Sequence, residues 1–384
     1  MTTGIRQAFS SATDASQAVQ EFYTSVVQPD MELVLFFCSN DYDLNTLAGE
    51  MRRRFDGIRV IGCTTAGEIG PAGYLERGLT GVSFATQVCS SVSGCLDCLQ
   101  QFETPAGQTL AQRLLQELAL KQPQASAENS FALLLIDGLS VREEPVARIL
   151  QAGLGRVPLA GGSAGDGLEF KKAYVYADGS FRSDRAALTL ITTPLPFTVF
   201  KTQHFVATDR RLVITAADTA HRVVHEIDGL PAAQEYARLL GVDLPNLSPS
   251  CFAASPVVVL IDGNNYVRSI QRVNDDGSMT FYCAIEEGLV LRVARGVDLI
   301  QNLEEAFTRV RSLIGPPELV IGCDCILRRL EIVQNRLEGP VGDLFRGNNT
   351  IGFNTYGEQF RGVHVNQTLS GIAIGRASTE AHHS

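Results

Sequence analysis

The chain has 384 residues, 45% of them hydrophobic, a formal net charge of -10 and a pI of about 5.2. That length allows two or three domains, or one large duplicated one, with a sizeable core. The acidic balance excludes the basic footprint that nucleic acid requires, and no run reaches the ~20 apolar residues of a membrane helix. Residues 1–12 lack an apolar core of signal-peptide length. The expectation is a cytoplasmic chain without nucleic-acid partners or membrane insertion.

In chain order, residues 14–27 predict an amphipathic helix, with Asp14 as cap and Ala18, Val19, Phe22, Tyr23 and Val26 in one stripe. Leu33 to Phe37 reads as a strand. A polar turn ending at Asp43 then caps a helix over 44–55. Val82 to Gln100 reads as antiparallel strands, Thr109 to Leu120 as a helix, Phe131 to Ile136 as a strand and Glu143 to Leu154 as a helix. Asp178-Gly179 marks a hairpin over 174–181. Val213 to Ile227 reads as one strand, which puts His221 and His225 on one face but roughly 13 Å apart, too far to share a metal. A helix over 231–240 precedes strands at 257–261, 267–272, 280–284 and 289–292, with a further turn at Asp262-Gly263. The last elements are a helix over 296–313, a strand over 319–321, a helix over 326–336 and a strand over 369–374. Long helices among antiparallel stretches predict an α+β class: mixed β-sheets with flanking helices.

Three glycine turns organise this reading. Val60-Ile61-Gly62-Cys63-Thr64-Thr65-Ala66-Gly67-Glu68 is one. Pro158 to Asp166, with Gly161, Gly162, Ser163 and Gly165, is the second. Ile351-Gly352-Phe353-Asn354-Thr355-Tyr356-Gly357-Glu358 is the third. Each follows an apolar strand, ends in an acid and leads to another apolar strand. This predicts a repeated unit of strand, helix, strand, glycine turn and strand; Val257 to Ile261 opens a weaker fourth candidate. Glycine lets a backbone turn sharply and approach a ligand closely. Hydroxyl, amide and carboxylate groups on such turns suit the polar rim of a pocket, so Thr64, Thr65, Glu68, Ser163, Asp166, Asn354, Thr355 and Glu358 are candidate ligand contacts.

The nine cysteines are odd in number and scattered, as buried small hydrophobes are. Cys95-x-x-Cys98 follows an alternating strand rather than opening a helix, which argues against a redox motif. Cys323-Asp324-Cys325 has the wrong spacing for a zinc pair. Gly161 to Gly165 fits the G-x-S-x-G nucleophile elbow around Ser163. The elbow also needs a helix directly after it, and residues 169–176 read as extended. The expectation is therefore that the chain is not an enzyme.

The order of these turns, together with I-D-G-L-P-A-A-Q-E-Y-A-R-L-L-G at 227–241 and H-V-N-Q-T-L at 364–369, resembles the FIST family, which joins a FIST N and a FIST C domain. The resemblance covers about residues 33–374. It implies an N-terminal helical segment (1–30), a FIST N domain (31–220), a FIST C domain (221–376) and a disordered tail (377–384). It also implies a ligand-binding sensor of bacterial signalling. G-C-D-C-I-L-R-R-L-E at 322–331 looks most like the haem-binding, nitric-oxide-sensing members, which implies a histidine kinase or cyclic-di-GMP enzyme as partner and a role in biofilm regulation.

Haem needs an axial ligand, usually His, Cys, Met or Tyr, in an apolar slot. His364, inside the closing motif, is the first candidate for the iron, with Tyr356 and Cys63 behind it. His204, His221 and His225 lie near the expected domain seam, and His382 and His383 lie in the polar tail. The competing expectation is a haem-free sensor of an amino acid or another small metabolite. In it Thr64, Thr65, Ser163, Asn354 and Glu358 supply donors and acceptors, and Glu68, Asp166 or Glu358 holds an ammonium group.

Overall fold

A computed structural model describes residues 4–261 and 264–377. The Asp262-Gly263 turn, His382, His383 and the tail from residue 378 onward lie outside the described residues. Among those described, the strands form three six-stranded sheets and one eight-stranded sheet, with helices on their outer faces. The class is α+β with mixed sheets.

The three six-stranded sheets have one strand order and belong to three consecutive units: residues 5–85, 90–192 and 197–375. In each, the unit's first strand pairs antiparallel with its last, the last pairs antiparallel with its second, and the second pairs parallel with its third. The parallel pairs are Met31–Ser39 with Arg59–Thr65, Ser130–Asp137 with Leu159–Ala164, and Pro317–Cys325 with Thr350–Thr355. The sheet is completed by a short hairpin from another unit. The first unit's hairpin (68–75) joins the third unit's sheet, the third unit's hairpin (358–365) joins the second, and the second unit's hairpin (175–182) joins the first. The exchange closes in a circle.

Both faces of the central strands are buried, which explains their unbroken apolar runs. Leu33, Leu35 and Phe37 point inward with Phe131, Leu133, Leu135, Leu319 and Ile321 of the other sheets into one shared core. Phe37 and Phe353, from different sheets, stack with ring centroids 4.5 Å apart. The alternate residues Val34 and Phe36 face the helices Ala15–Val26 and Leu44–Arg54. Asp14 and Asp43 cap these helices as expected, accepting from the Gln17 and Asn45 amides.

Residues 205–296 interrupt the third unit and build the eight-stranded sheet around a core of their own. The insertion leaves and returns side by side: Phe205 pairs with Gly296, and the Val297 amide donates to the His204 carbonyl at 2.7 Å. The strand expected over 213–227 is two strands, Phe205–Asp218 and Val223–Ile227. A turn between them holds His221, which pairs with Asp218. The fourth candidate strand, Val257–Ile261, lies in this separate sheet, paired antiparallel on both sides. Residues 1–30 hold a strand, Ile5–Ser10, as well as the expected helix.

Candidate functional site

The three glycine turns meet at the same end of the three parallel strand pairs. Close approach at the parallel pairing explains one glycine in each: a Cβ at Gly62, Gly161 or Gly352 would lie 2.5, 1.9 or 1.8 Å from the facing backbone oxygen of Phe36, Leu134 or Gly322. The turns then bond to one another through the backbone. Ala66 N donates to Asn354 O at 2.9 Å, and Asn354 N to Gly67 O at 2.7 Å. Gly165 N donates to Thr64 O at 3.1 Å, and Ser163 N to Gly357 O at 2.8 Å. The ring of contacts involves all three units.

Two turns carry the same carboxyl device. Glu68 accepts from the Thr65 hydroxyl at 2.5 Å and the Gly78 amide at 2.8 Å. Glu358 accepts from the Thr355 hydroxyl and, at 2.6 Å, from the Thr368 hydroxyl. Burial pushes Glu68 up to about 7 and Glu358 up to about 8. In the middle turn Asp166 accepts the amides of Phe170, Lys171 and Lys172 at 2.9, 2.8 and 2.8 Å, and the Tyr356 hydroxyl. Thr64 accepts from the Tyr174 amide, and Ser163, buried in its strand, accepts from Gln359 Nε2 at 2.8 Å. Asn354 is buried beneath Gly67, with its Nδ2 3.4 Å from Asp324.

A cleft of about 400 Å³ opens between the first two turns and the helix Ile326–Gln334. Thr65, Gly67, Glu68 and Asp166 line one side, and Ile326 and Arg329 the other. Of the expected ligand contacts, Thr65, Glu68 and Asp166 therefore reach one cleft. Thr64, Ser163, Asn354, Thr355 and Glu358 are buried and do not line it.

Beneath that helix runs a polar chain that the sequence reading missed. Tyr74 donates to Asp324 at 2.8 Å, and Arg328 Nε donates to the same carboxylate at 2.7 Å. Arg328 Nη1 lies 3.1 Å from His204 Nδ1, and His204 Nε2 lies 2.9 Å from Glu331. Burial holds His204 below the ordinary histidine range. Asp324 and Arg328 stand four apart across a helix start, a spacing that could have flagged the pair.

The haem-ligand candidates lie elsewhere. His364 is buried with Nδ1 3.2 Å from Gln359 Nε2, and its ring lies so close to Gly357 that a Cβ there would come within 2.6 Å of Nε2. Tyr356 is committed to Asp166 and packs tilted against Phe170, ring centroids 4.6 Å apart. The Cys63 thiol faces the shared core, and burial raises it well above its ordinary value. None of the three lines the cleft. An axial ligand must present a lone pair to iron in an apolar slot: Tyr356 is engaged by Asp166 and Cys63 is sealed in the core, while His364 Nε2 has no hydrogen-bond partner among the described residues but does not open on this cleft. No group of three or more His, Cys, Asp or Glu suited to a metal ion occurs among the described residues.

Family models match in two consecutive blocks, the FIST N domain over residues 32–230 and the FIST C domain over residues 232–361. The chain belongs to the FIST family. FIST domains are sensor domains that bind small ligands in signalling proteins. An uncharacterized protein of Methanocaldococcus jannaschii is 25% identical over 200 residues, which is 50% of this chain and 38% of that relative. The chain thus spans well under two thirds of that relative's length.

Two solved structures match across 97% of this FIST chain. One is a cyanuric acid hydrolase (10% identity, 98% of its own chain, TM-score 0.39); the other is a cyanuric acid hydrolase from A. caulinodans (7% identity, 99% of its own chain, TM-score 0.34). The expectation of a non-enzyme is corrected by these neighbours, which are enzymes. At TM-scores this low they assign no reaction to this chain. Among the described residues, no helix is long and apolar enough to cross a membrane.

Proposed function

We propose that this FIST chain is the sensor of a signalling system and holds a small polar metabolite, such as an amino acid, in the cleft between its first two turns. The observation that carries this reading is that Thr65, Glu68 and Asp166, on turns from two different units, line one cleft beside Arg329. A ligand there touches the first and second units and the third unit's Ile326–Gln334 helix together. Its binding energy would favour one relative placement of all three, which is how a ligand biases a conformational equilibrium. The partner proposed to read that bias is a histidine kinase or a cyclic-di-GMP enzyme, on family resemblance alone.

The finer likeness to the haem-binding nitric oxide sensor NosP rests on residues 322–331. That stretch supplies Ile326 and Arg329 to the cleft wall and the buried pair Asp324–Arg328 beneath it. Its two thiols, Cys323 and Cys325, are buried in apolar clusters and do not line the cleft, so the polar metabolite is the favoured reading.

The chain has no tryptophan. Leu168→Trp, at an exposed position on the cleft lining, therefore installs a single fluorophore there. A panel of amino acids and related metabolites should contain a compound that shifts its emission saturably. The absorption spectrum after haemin addition is the counter-test. A stoichiometric Soret band that responds to nitric oxide, with no metabolite response, would overturn the polar-cleft reading.

A further inference from the structure

We infer that Arg329 is the oxyanion-binding group of this cleft, so that the ligand carries a carboxylate or a phosphate. The inference rests on the reading above that the cleft is the ligand site.

Arg329 stands on the Ile326–Gln334 helix with its guanidinium carbon 4.1 Å from the centroid of the Tyr74 ring. Stacking occupies one face of the guanidinium and leaves its in-plane N–H edge to bond an acceptor. The Tyr74 ring is itself anchored through its hydroxyl to Asp324. The platform under Arg329 is thus fixed before any ligand arrives. Yet Arg329 Nη1 is buried and has no hydrogen-bond partner among the described residues. A buried donor left unmet is costly, most of all on a charged group.

The carboxylates nearby are already engaged. Asp324 is taken by Arg328 and Tyr74, and Glu331 by His204. Glu68 is bonded by Thr65 and Gly78, and Asp166 by three backbone amides and Tyr356. At the rim Asp41 pairs with Arg77 and Glu169 with Lys171, while Glu76 is exposed. Counting acids alone, the cleft reads as a cation site. Counting unmet hydrogen bonds, it reads the other way, because its inner acids are satisfied from within and its inner cation is not. A planar guanidinium whose Nη1 is unmet matches an oxygen of a carboxylate or phosphate.

The test uses the full chain carrying Leu168→Trp, titrated at constant ionic strength with sodium acetate, inorganic phosphate or ethylammonium chloride, with sodium chloride as the blank. Acetate or phosphate should change the emission saturably, and whichever binds more tightly identifies a carboxylate or a phosphate ligand. Arg329→Gln should weaken that binding at least about tenfold, and Arg329→Lys, which keeps the charge but loses the fork, should fall between. Melting curves confirm that each variant is folded. Anion binding that is equal in the Gln variant overturns the inference. A response to ethylammonium or to a neutral metabolite alone also overturns it, but leaves the cleft as the ligand site. No response to any of these probes or to the metabolite panel overturns both.

Discussion

Glu68 and Glu358 hold matching places in two of the three turns, and both keep their protons into the neutral range. Their folded values, about 7 and about 8, stand above the ordinary 4.5 of the unfolded chain. For a raised carboxyl the stabilisation is complete below the unfolded value and is lost as pH climbs through the folded one. His364 runs the opposite way, because burial lowers it from 6.5 to about 4. Its contribution is present above about 6.5 and is lost as pH falls toward about 4. With two raised carboxyls against one lowered histidine, melting temperature should therefore fall as pH climbs from about 5 to about 8. Glu358→Gln should flatten that fall; a wild-type melting temperature that rises from pH 6 to 8.5 would contradict the assignment. The glycines make a second case at this scale. Gly161→Ala would drive a methyl to 1.9 Å from the Leu134 carbonyl oxygen, and a loss of about 2–3 kcal/mol is expected in urea unfolding. The turn acids were legible because they follow glycine-rich strands. Arg329 was not, because an arginine on a polar helix face carries no local mark of what it stacks on.

Elements with long apolar runs or clear caps were readable, and those made by distant partners were not. The helix Glu143–Leu154 and the hairpin at Asp178-Gly179 stand where the pattern put them. The other two exchanged hairpins escaped because they lack an Asp-Gly turn, and their strands, such as Glu68–Gly70 and Gly73–Leu75, are three residues long, too short to show a period on their own. Helix Glu338–Gly347 escaped because it contains Gly339, Pro340 and Gly342. Pro340 is tolerated in the first turn, where the missing N–H has no partner within the helix, and Val341 and Phe345 supply the buried face. The Ile326–Gln334 helix is tied down differently, through the fully buried pair Arg328–Asp324 at 2.7 Å. Asp324→Ala leaves Arg328 charged and unpaired, and removes the acceptor of Tyr74. It should cost about 3–5 kcal/mol. Chemical denaturation measures this, and a loss below about 1 kcal/mol would mean that Arg328 finds another partner or water. Asp43→Ala, which removes only an exposed helix cap, should cost about 1 kcal/mol and serves as the contrast.

At the scale of the molecule, the circular exchange of hairpins and the insertion at 205–296 make opposite demands. No unit owns a complete sheet. The first lends residues 68–75 to the third and borrows residues 175–182 from the second. Residues 4–86 expressed alone would leave one strand edge unpaired and one hairpin without a sheet, and should not show a cooperative melt. The insertion is the reverse case. Its main core draws only on its own residues, and the cores of the three units contain none of them. Its strands leave and return at the adjacent residues Phe205 and Gly296. Joining residue 204 to residue 297 through a short glycine linker should therefore leave the three-unit body folded. The cost should fall on the surface the insertion covers, where Ala253 and Tyr282 pack on Cys325, Ile326, Leu327 and Tyr356. Circular dichroism and a thermal melt of the excised chain decide the matter. A cooperative transition at lower temperature is expected. A chain that aggregates without a transition would show that the contact over Tyr356 is part of the folding unit, and that the insertion is as necessary to the fold as the exchanged hairpins.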